Sequence, residues 1–122
     1  MGRYLVSPPD ETEWNIDAGD FVRRLRERWP DAEVRSVEDP QRPYGVDFVI
    51  PDVGGERVDG SLDRAGQTLS LDAGPRTSAE VAAWFRSLAP PEQPLVFYDQ
   101  SMTNVADLEP GADPGSIVAG FV

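Results

Sequence analysis

The chain contains no cysteine, no histidine and no lysine, and each absence removes a class of chemistry. Without cysteine, neither a disulfide nor a thiolate metal site can form. Without histidine, there is no Ser-His-Asp triad, no Cys-His dyad and no histidine-based zinc or iron site. Without lysine, a Schiff base, a Ser-Lys dyad and a P-loop are excluded as well. Carboxylates, hydroxyls and arginine remain, and we expect no cofactor.

Long apolar runs are also missing. The longest are only a few residues, whereas a membrane-spanning helix needs about 20, and the first residues lack the pattern of a signal peptide. We therefore expect a cytoplasmic protein that does not bind membranes. All 11 basic residues are arginine, and with abundant Ala, Gly, Pro, Asp and Val this usage indicates a GC-rich bacterial genome, such as an actinobacterial one.

Negative charge dominates the chain, which has 22 acidic residues against 11 arginines and a net charge of −11. Residues 1–30 carry a net −1, whereas residues 31–86 and 87–122 each carry −5. Such a molecule repels a phosphate backbone, so a nucleic acid is not an expected partner. An anionic membrane surface is disfavoured for the same reason. A basic protein partner is compatible with the charge, although acidity can also serve solubility alone.

Two amphipathic helices are predicted within a single domain of 122 residues. The first covers Asp17–Trp29, where apolar residues recur at helical spacing, Asp17 can cap the start and Pro30 ends the helix. The second covers Thr77–Ala89, and its start, Thr77-Ser78-Ala79-Glu80, is typical of a capping box.

Short alternating segments bounded by Pro and Gly predict the strands. A turn over residues 63–66, with Gly66 at one position, joins two of them into a hairpin. The segment Leu95–Tyr98 is entirely apolar or aromatic, which favours a central place in the sheet. Residues 109–122 form either a docked or a mobile C-terminal tail. The expected strands are Tyr4–Val6, Glu33–Val37, Val46–Ile50, Arg57–Leu62, Gln67–Leu71, Leu95–Tyr98 and, less regularly, Asn104–Leu108.

The predicted fold is α+β, a mostly antiparallel sheet of five to seven strands with two helices on one face. The element order is β-α-β-β-β-β-α-β(-β). The right-handed crossover rule places the strand after each helix beside, or one strand away from, the strand before it. A ferredoxin-like variant with an extra hairpin and a helix-grip arrangement are the two alternatives.

The exit of the Leu95–Tyr98 strand is the most site-like place in the sequence. Asp99, Gln100 and Ser101 follow an apolar strand directly, and such a strand positions side chains well at a sheet edge. Tyr44, in a Pro-rich loop before another strand, is a candidate neighbour. Trp14 lies in a polar loop, where it is either an anchor for a partner or a cover for one end of a helix.

Carboxylates are the remaining candidates for catalysis, because Asp and Glu alone can supply an acid and a base. Those on or beside strands are Asp47, Asp59, Asp72 and Asp99, although so acidic a chain produces suitable pairs by chance. An acidic turn with Asp107, Glu109 and Asp113 does not follow the EF-hand spacing, so no metal site is predicted. Four arginines of the first helix lie on both of its flanks, which is typical of a solvated face.

Two functional hypotheses follow. In the first, the protein is a non-enzymatic interaction domain whose helix-free sheet face docks a basic partner. Immunity proteins of bacterial toxin systems are small acidic α+β domains of this general kind, although no motif ties the chain to one of those families. In the second, it is a small-molecule-binding domain or carboxylate-based hydrolase with a pocket near Asp99 and Tyr44. We favour the first, with a face carrying Asp47, Val49, Asp59, Ser61, Thr68 and Ser70.

Overall fold

A computed structural model describes residues 2–39, 41 and 44–119 of the chain. These residues form an α+β fold with one seven-stranded antiparallel sheet and three helices, which confirms the predicted class and sheet type. The third helix was not expected. The elements are β1 (Gly2–Ser7), α1 (Ala18–Arg28), β2 (Glu33–Ser36), β3 (Tyr44–Val53), β4 (Glu56–Asp63), β5 (Leu69–Ala73), α2 (Pro75–Arg86), β6 (Val96–Asp99), β7 (Val105–Asp107) and α3 (Pro114–Ala119).

The strand order is β2-β3-β4-β5-β1-β6-β7. The β6 strand, which follows α2, lies one strand away from β5, as the crossover rule predicts. The β2 strand, which follows α1, does not obey it, because β2 to β5 form a meander that pairs with β1 only through its last strand.

The β6 strand is not central, contrary to expectation, but second from the edge. Of its residues, only Phe97 is buried, whereas Val96 and Tyr98 are half-buried. The apolar and aromatic side chains of β6 that face away from the helices are therefore only half-buried. The Tyr98 hydroxyl, for example, lies within hydrogen-bond distance of Ser7 Oγ at 2.9 Å.

The helices lie on one face of the sheet, where alternate strand residues form the core. In α1, the Asp17 carboxylate accepts the Asp20 N–H at 3.1 Å and caps the helix as predicted. Phe21 of α1 is fully buried, and its ring lies 5.6 Å from that of Phe48 on β3 and 6.2 Å from that of Phe85 on α2. The sheet and both long helices thus share one core.

The start of α2 differs from the prediction. The helix begins at Pro75 with Gly74 as its N-cap, so the predicted capping box is wrong. Proline is favoured at the first helical position because its missing N–H needs no partner there. Glu56 of the neighbouring hairpin accepts the Gly74 N–H at 2.8 Å, and hydrogen bonds from the Thr77 hydroxyl and from Gly74 hold the pKa of its carboxyl below the ordinary value.

The third helix occupies part of the segment predicted to be a docked or mobile tail. Asp113 accepts the N–H and the hydroxyl of Ser116 at 2.9 and 3.0 Å and so caps α3. Ile117 is buried, and α3 packs against α2. Residues 120–122 of this segment lie outside the described residues. Within the described ranges, no helix has the length and apolar character needed to cross a membrane.

Candidate functional site

The sheet face opposite the helices carries a groove of about 590 Å³, which we call the open-face groove. Its floor crosses β3, β4, β5 and β1, and its walls come from β2 and the start of β3. Strand alternation directs most of the lining side chains into it, and the register shift between Tyr44 and Val46 adds Tyr44. The set comprises Arg3, Glu33, Arg35, Tyr44, Asp47, Val49, Arg57, Asp59, Ser61, Ser70 and Asp72.

Three carboxylates lie on three adjacent strands of the groove. Asp59 on β4 stands directly opposite Asp72 on β5. Asp47 on β3 stands opposite Ser61, and Ser61 stands opposite Ser70. These five residues therefore form a polar block on one face. Sequence reasoning named all three aspartates as candidate carboxylates, although only Asp47 was selected as a site residue.

Arginines flank the carboxylates on the surrounding positions. The Arg35 guanidinium lies 3.6 Å from the Asp47 carboxylate, and that of Arg57 lies 2.9 Å from Asp59. Arg3 is the β1 neighbour of Asp72 in the strand register, yet among the described residues neither side chain has an ion-pair partner.

The groove is less acidic than the sequence suggested. Four acidic residues and three arginines line it, a net charge of −1, so most of the −11 of the chain lies elsewhere. The arginines belong to outward positions of β1, β2 and β4 that sequence analysis did not assign to the face. The face is mixed in charge, with Asp47, Asp59 and Asp72 on β3 to β5 and Glu33 on the edge strand β2.

Ser70 is a buried polar side chain at the floor of the groove. Only 9% of its surface is exposed, and its hydroxyl oxygen, which is open to the groove, makes no hydrogen bond to a described residue. It also lines a smaller adjoining pocket of about 310 Å³ together with Arg3, Leu5, Tyr44, Asp63, Thr68 and Gln100. This pocket brings Tyr44 and Gln100 together, the neighbours that sequence reasoning had proposed.

Asp99 is placed differently. It pairs with Tyr4, on the helix side of the sheet, whereas Gln100 belongs to the open side. Its carboxylate accepts the backbone N–H groups of Thr103 and Asn104 at 2.9 and 3.3 Å, the Asn104 Nδ2 at 3.0 Å and the Ser101 hydroxyl at 3.2 Å. Desolvation alone would raise the pKa of Asp99, but these hydrogen bonds outweigh it and hold the pKa below its ordinary value. Asp99 and Ser101 therefore build the turn between β6 and β7.

Trp14 covers the core. Its ring meets that of Phe85 edge-on, with centroids 6.2 Å apart. Its backbone carbonyl accepts the side-chain amide of Gln67 at 2.8 Å, and its N–H donates to the Thr12 hydroxyl at 3.2 Å. Trp14 is thus held in its loop by contacts that account for it without a partner.

No metal centre is apparent in the described part of the chain, where no group of three or more acidic residues is arranged to hold an ion. In the acidic turn, Asp113 is already engaged with Ser116, and hydrogen bonds from the Ser116 N–H and hydroxyl hold its pKa below the ordinary value.

The opposition of Asp59 and Asp72 depends on a local signal that sequence reasoning missed. Asp63 accepts the N–H groups of Gln67 and Thr68 at 2.8 and 3.0 Å, which lengthens the turn so that β5 begins at Leu69. An aspartate side chain that hydrogen-bonds to the backbone a few residues ahead is a recognised turn feature. This turn sets the register of β4 against β5, and that register places Asp59 opposite Asp72.

Comparison with known proteins adds no assignment. No protein-family model matches the chain, and neither a curated protein nor a solved structure is significantly similar to it.

Proposed function

We propose that the protein is a non-enzymatic interaction domain that binds a protein partner through the open-face groove. The supporting observation is a concave surface at which three polar side chains meet that make no polar contact within the described fold. Among the described residues, the side chains of Arg3, Ser70 and Asp72 have neither a hydrogen bond nor an ion pair, although they converge on one groove. Of these three, only Ser70 is buried, and most buried polar groups in proteins find a partner within the fold or in bound water. Convergent unused groups are typical of a binding surface.

Charge favours a basic partner. The net −11 of the chain attracts a positively charged protein over a distance, and this steering weakens as salt increases. At short range, the alternation of aspartates and arginines in the groove gives specificity, because a partner with the wrong charge pattern meets like charges. Immunity proteins that neutralise basic bacterial toxins in the cytoplasm are the class of interaction protein that this size and charge favour.

The test is affinity capture from the native lysate with three proteins: the wild type, Ser61→Tyr, which fills the groove, and Asn15→Tyr, which adds the same side chain to an exposed loop. We expect the wild type and Asn15→Tyr to retain the same basic protein at low salt and to release it at high salt. Ser61→Tyr should not retain it. Equal capture by all three variants, or no salt-dependent partner, would contradict the proposal.

A small-molecule site is the second candidate, because the groove volume lies within the range of about 300–1,000 Å³ that such sites span. Three carboxylates on adjacent strands are also compatible with acid and base catalysis. This site lies on β3 to β5 and not at the end of the β6 strand, where Asp99 is engaged in a turn. A small ligand that raises the melting temperature of the wild type, but not of Ser61→Tyr, would favour this function over the first.

A further inference from the structure

We propose that the groove receives one arginine side chain of the partner, with its guanidinium between Asp59 and Asp72 and above the Ser70 hydroxyl. This inference rests on the proposed function and names the chemistry of its contact.

Asp59 and Asp72 form a pair of like charges on adjacent strands. Residues directly opposite in an antiparallel pair have Cβ atoms about 4.5–5.5 Å apart, and like charges there are destabilising. Arg57 compensates Asp59 only partly, because both side chains of that ion pair are half or more exposed. Asp72 has no ion-pair partner among the described residues. Arg3 stands opposite Asp72 on the other side without forming an ion pair, so a cation bound between the two carboxylates would relieve the repulsion that Arg57 and Arg3 leave.

Ser70 supports the same site independently of charge. It precedes Asp72 by two residues on the same face of β5, it is more than nine-tenths buried, and no described residue hydrogen-bonds to its hydroxyl. Its position at the floor of the groove leaves its oxygen as an acceptor for a donor that enters from above. A donor that reaches Ser70 passes beside both carboxylates, because Ser61 and Ser70 form the pair next to Asp59 and Asp72.

The arrangement fits a guanidinium better than an ammonium. It offers two carboxylates on one side and a hydroxyl on another, and a planar group with five N–H donors can reach all three together. An ammonium has three donors on one atom and is more strongly hydrated. The residues that line the groove carry a net charge of −1, which a single guanidinium neutralises. A run of basic residues would instead place excess positive charge beside Arg3 and Arg57.

The test is a titration of the ¹⁵N-labelled protein followed by NMR, with N-acetylarginine amide as the probe. N-acetylcitrulline amide, which has the same shape without the charge, and N-acetyllysine amide serve as comparisons. We expect saturable shifts of the backbone amides around Asp59, Ser61, Ser70 and Asp72. Affinity should fall about 10-fold or more with citrulline, since charge-assisted hydrogen bonds are lost, and should also be weaker with lysine.

Charge variants make the test specific. Asp59→Asn and Asp72→Asn should each weaken the arginine probe several-fold, whereas Asp10→Asn, which removes the same charge from an exposed loop, should not. Neither groove variant should melt far below the wild type, because each removes a like-charge repulsion and the exposed Arg57–Asp59 ion pair that Asp59→Asn also removes contributes little to stability. Equal binding of citrulline or lysine, or equal losses for Asp10→Asn and Asp72→Asn, would overturn the guanidinium site.

Failure of this inference and failure of the proposed function are distinguishable. If Ser61→Tyr abolishes partner capture while the arginine probe does not bind the groove, the docking face stands and the guanidinium contact is wrong. If Ser61→Tyr leaves partner capture intact, the docking face itself is wrong.

Discussion

Replacing Gly60 with alanine tests the packing that separates the core from the groove. Gly60 lies opposite Phe48 on β3, and the Phe48 ring lies across it. A Cβ at position 60 would lie 2.3 Å from Phe48 Cζ and 2.7 and 2.9 Å from the two adjacent ring carbons. Phe48 is 2% exposed and rests against Phe21, so its ring has little room to move.

Two opposing effects determine how much Gly60→Ala changes the free energy of unfolding. Alanine in place of glycine within a strand normally stabilises by about 0.5–1 kcal/mol, because the unfolded chain loses freedom. Forcing extra atoms into a close-packed core costs about 1–3 kcal/mol. Because three ring atoms lie within 3.0 Å of the new Cβ, we expect packing to dominate and Gly60→Ala to lower the free energy of unfolding by about 1–2 kcal/mol.

Urea unfolding followed by tryptophan fluorescence measures this change, since Trp29 and Trp84 meet at 5.2 Å in the core. The midpoint should fall with an unchanged slope. Phe48→Leu should make room for the new methyl group, so the double variant should lose less than the sum of the single losses, by about 1 kcal/mol. A Gly60→Ala protein that is more stable than the wild type, or additive losses in the double variant, would refute the reasoning.

Three further predictions concern residues outside the groove. For Glu56→Gln, we expect a loss of stability at neutral pH that disappears as the pH falls through the folded pKa of Glu56. That pKa is lowered, so the stabilisation by Glu56 exists above the unfolded pKa and is lost in acid. Thermal unfolding between pH 3 and 7 measures this change. For Trp14→Ala, we expect the free energy of unfolding to fall by about 1–3 kcal/mol with unchanged partner capture, because the Trp14 ring packs on Phe85. Lost capture at unchanged stability would instead make Trp14 an anchor for the partner. For Asp99→Ala, the melting temperature should fall without any change in binding of the arginine probe, and weaker binding would place Asp99 in the site.

The local elements were predictable because their signals are local. The apolar stripe of α1 and the cap at Asp17 lie within a dozen residues, and the helix observed over Ala18–Arg28 follows from them. The alternation along β3 likewise shows which side chains face the core. The start of α2 was not predictable in this way, since the carboxylate at its N-terminus comes from Glu56, on another hairpin.

The site was predictable only in part, for a similar reason. The pattern shows that Asp47, Asp59 and Asp72 alternate with core residues, but the neighbours of Asp72 depend on the pairing of β5 with β1, which brings Arg3 beside it from the far end of the chain. The contacts of Asp99 were not predictable, because they are set by the turn after β6. In that turn, Met102 has a φ of +59°, and the backbone N–H groups of Thr103 and Asn104 turn toward the carboxylate. Apolar strand content alone contains no such information.

The docking proposal assigns separable roles to the two faces of the sheet, and this separation is itself testable. On β4, Gly60 faces the core, whereas its neighbours Asp59 and Ser61 face the groove. The core is complete on the helix side, so charges on the open side can be selected for binding with little effect on folding. Variants at Asp59 and Asp72 should change binding at nearly unchanged stability, and Gly60→Ala should lower stability while the folded fraction binds as the wild type does. If stability and binding instead fall together at all three positions, the open face is part of the structural framework and the docking proposal loses its basis.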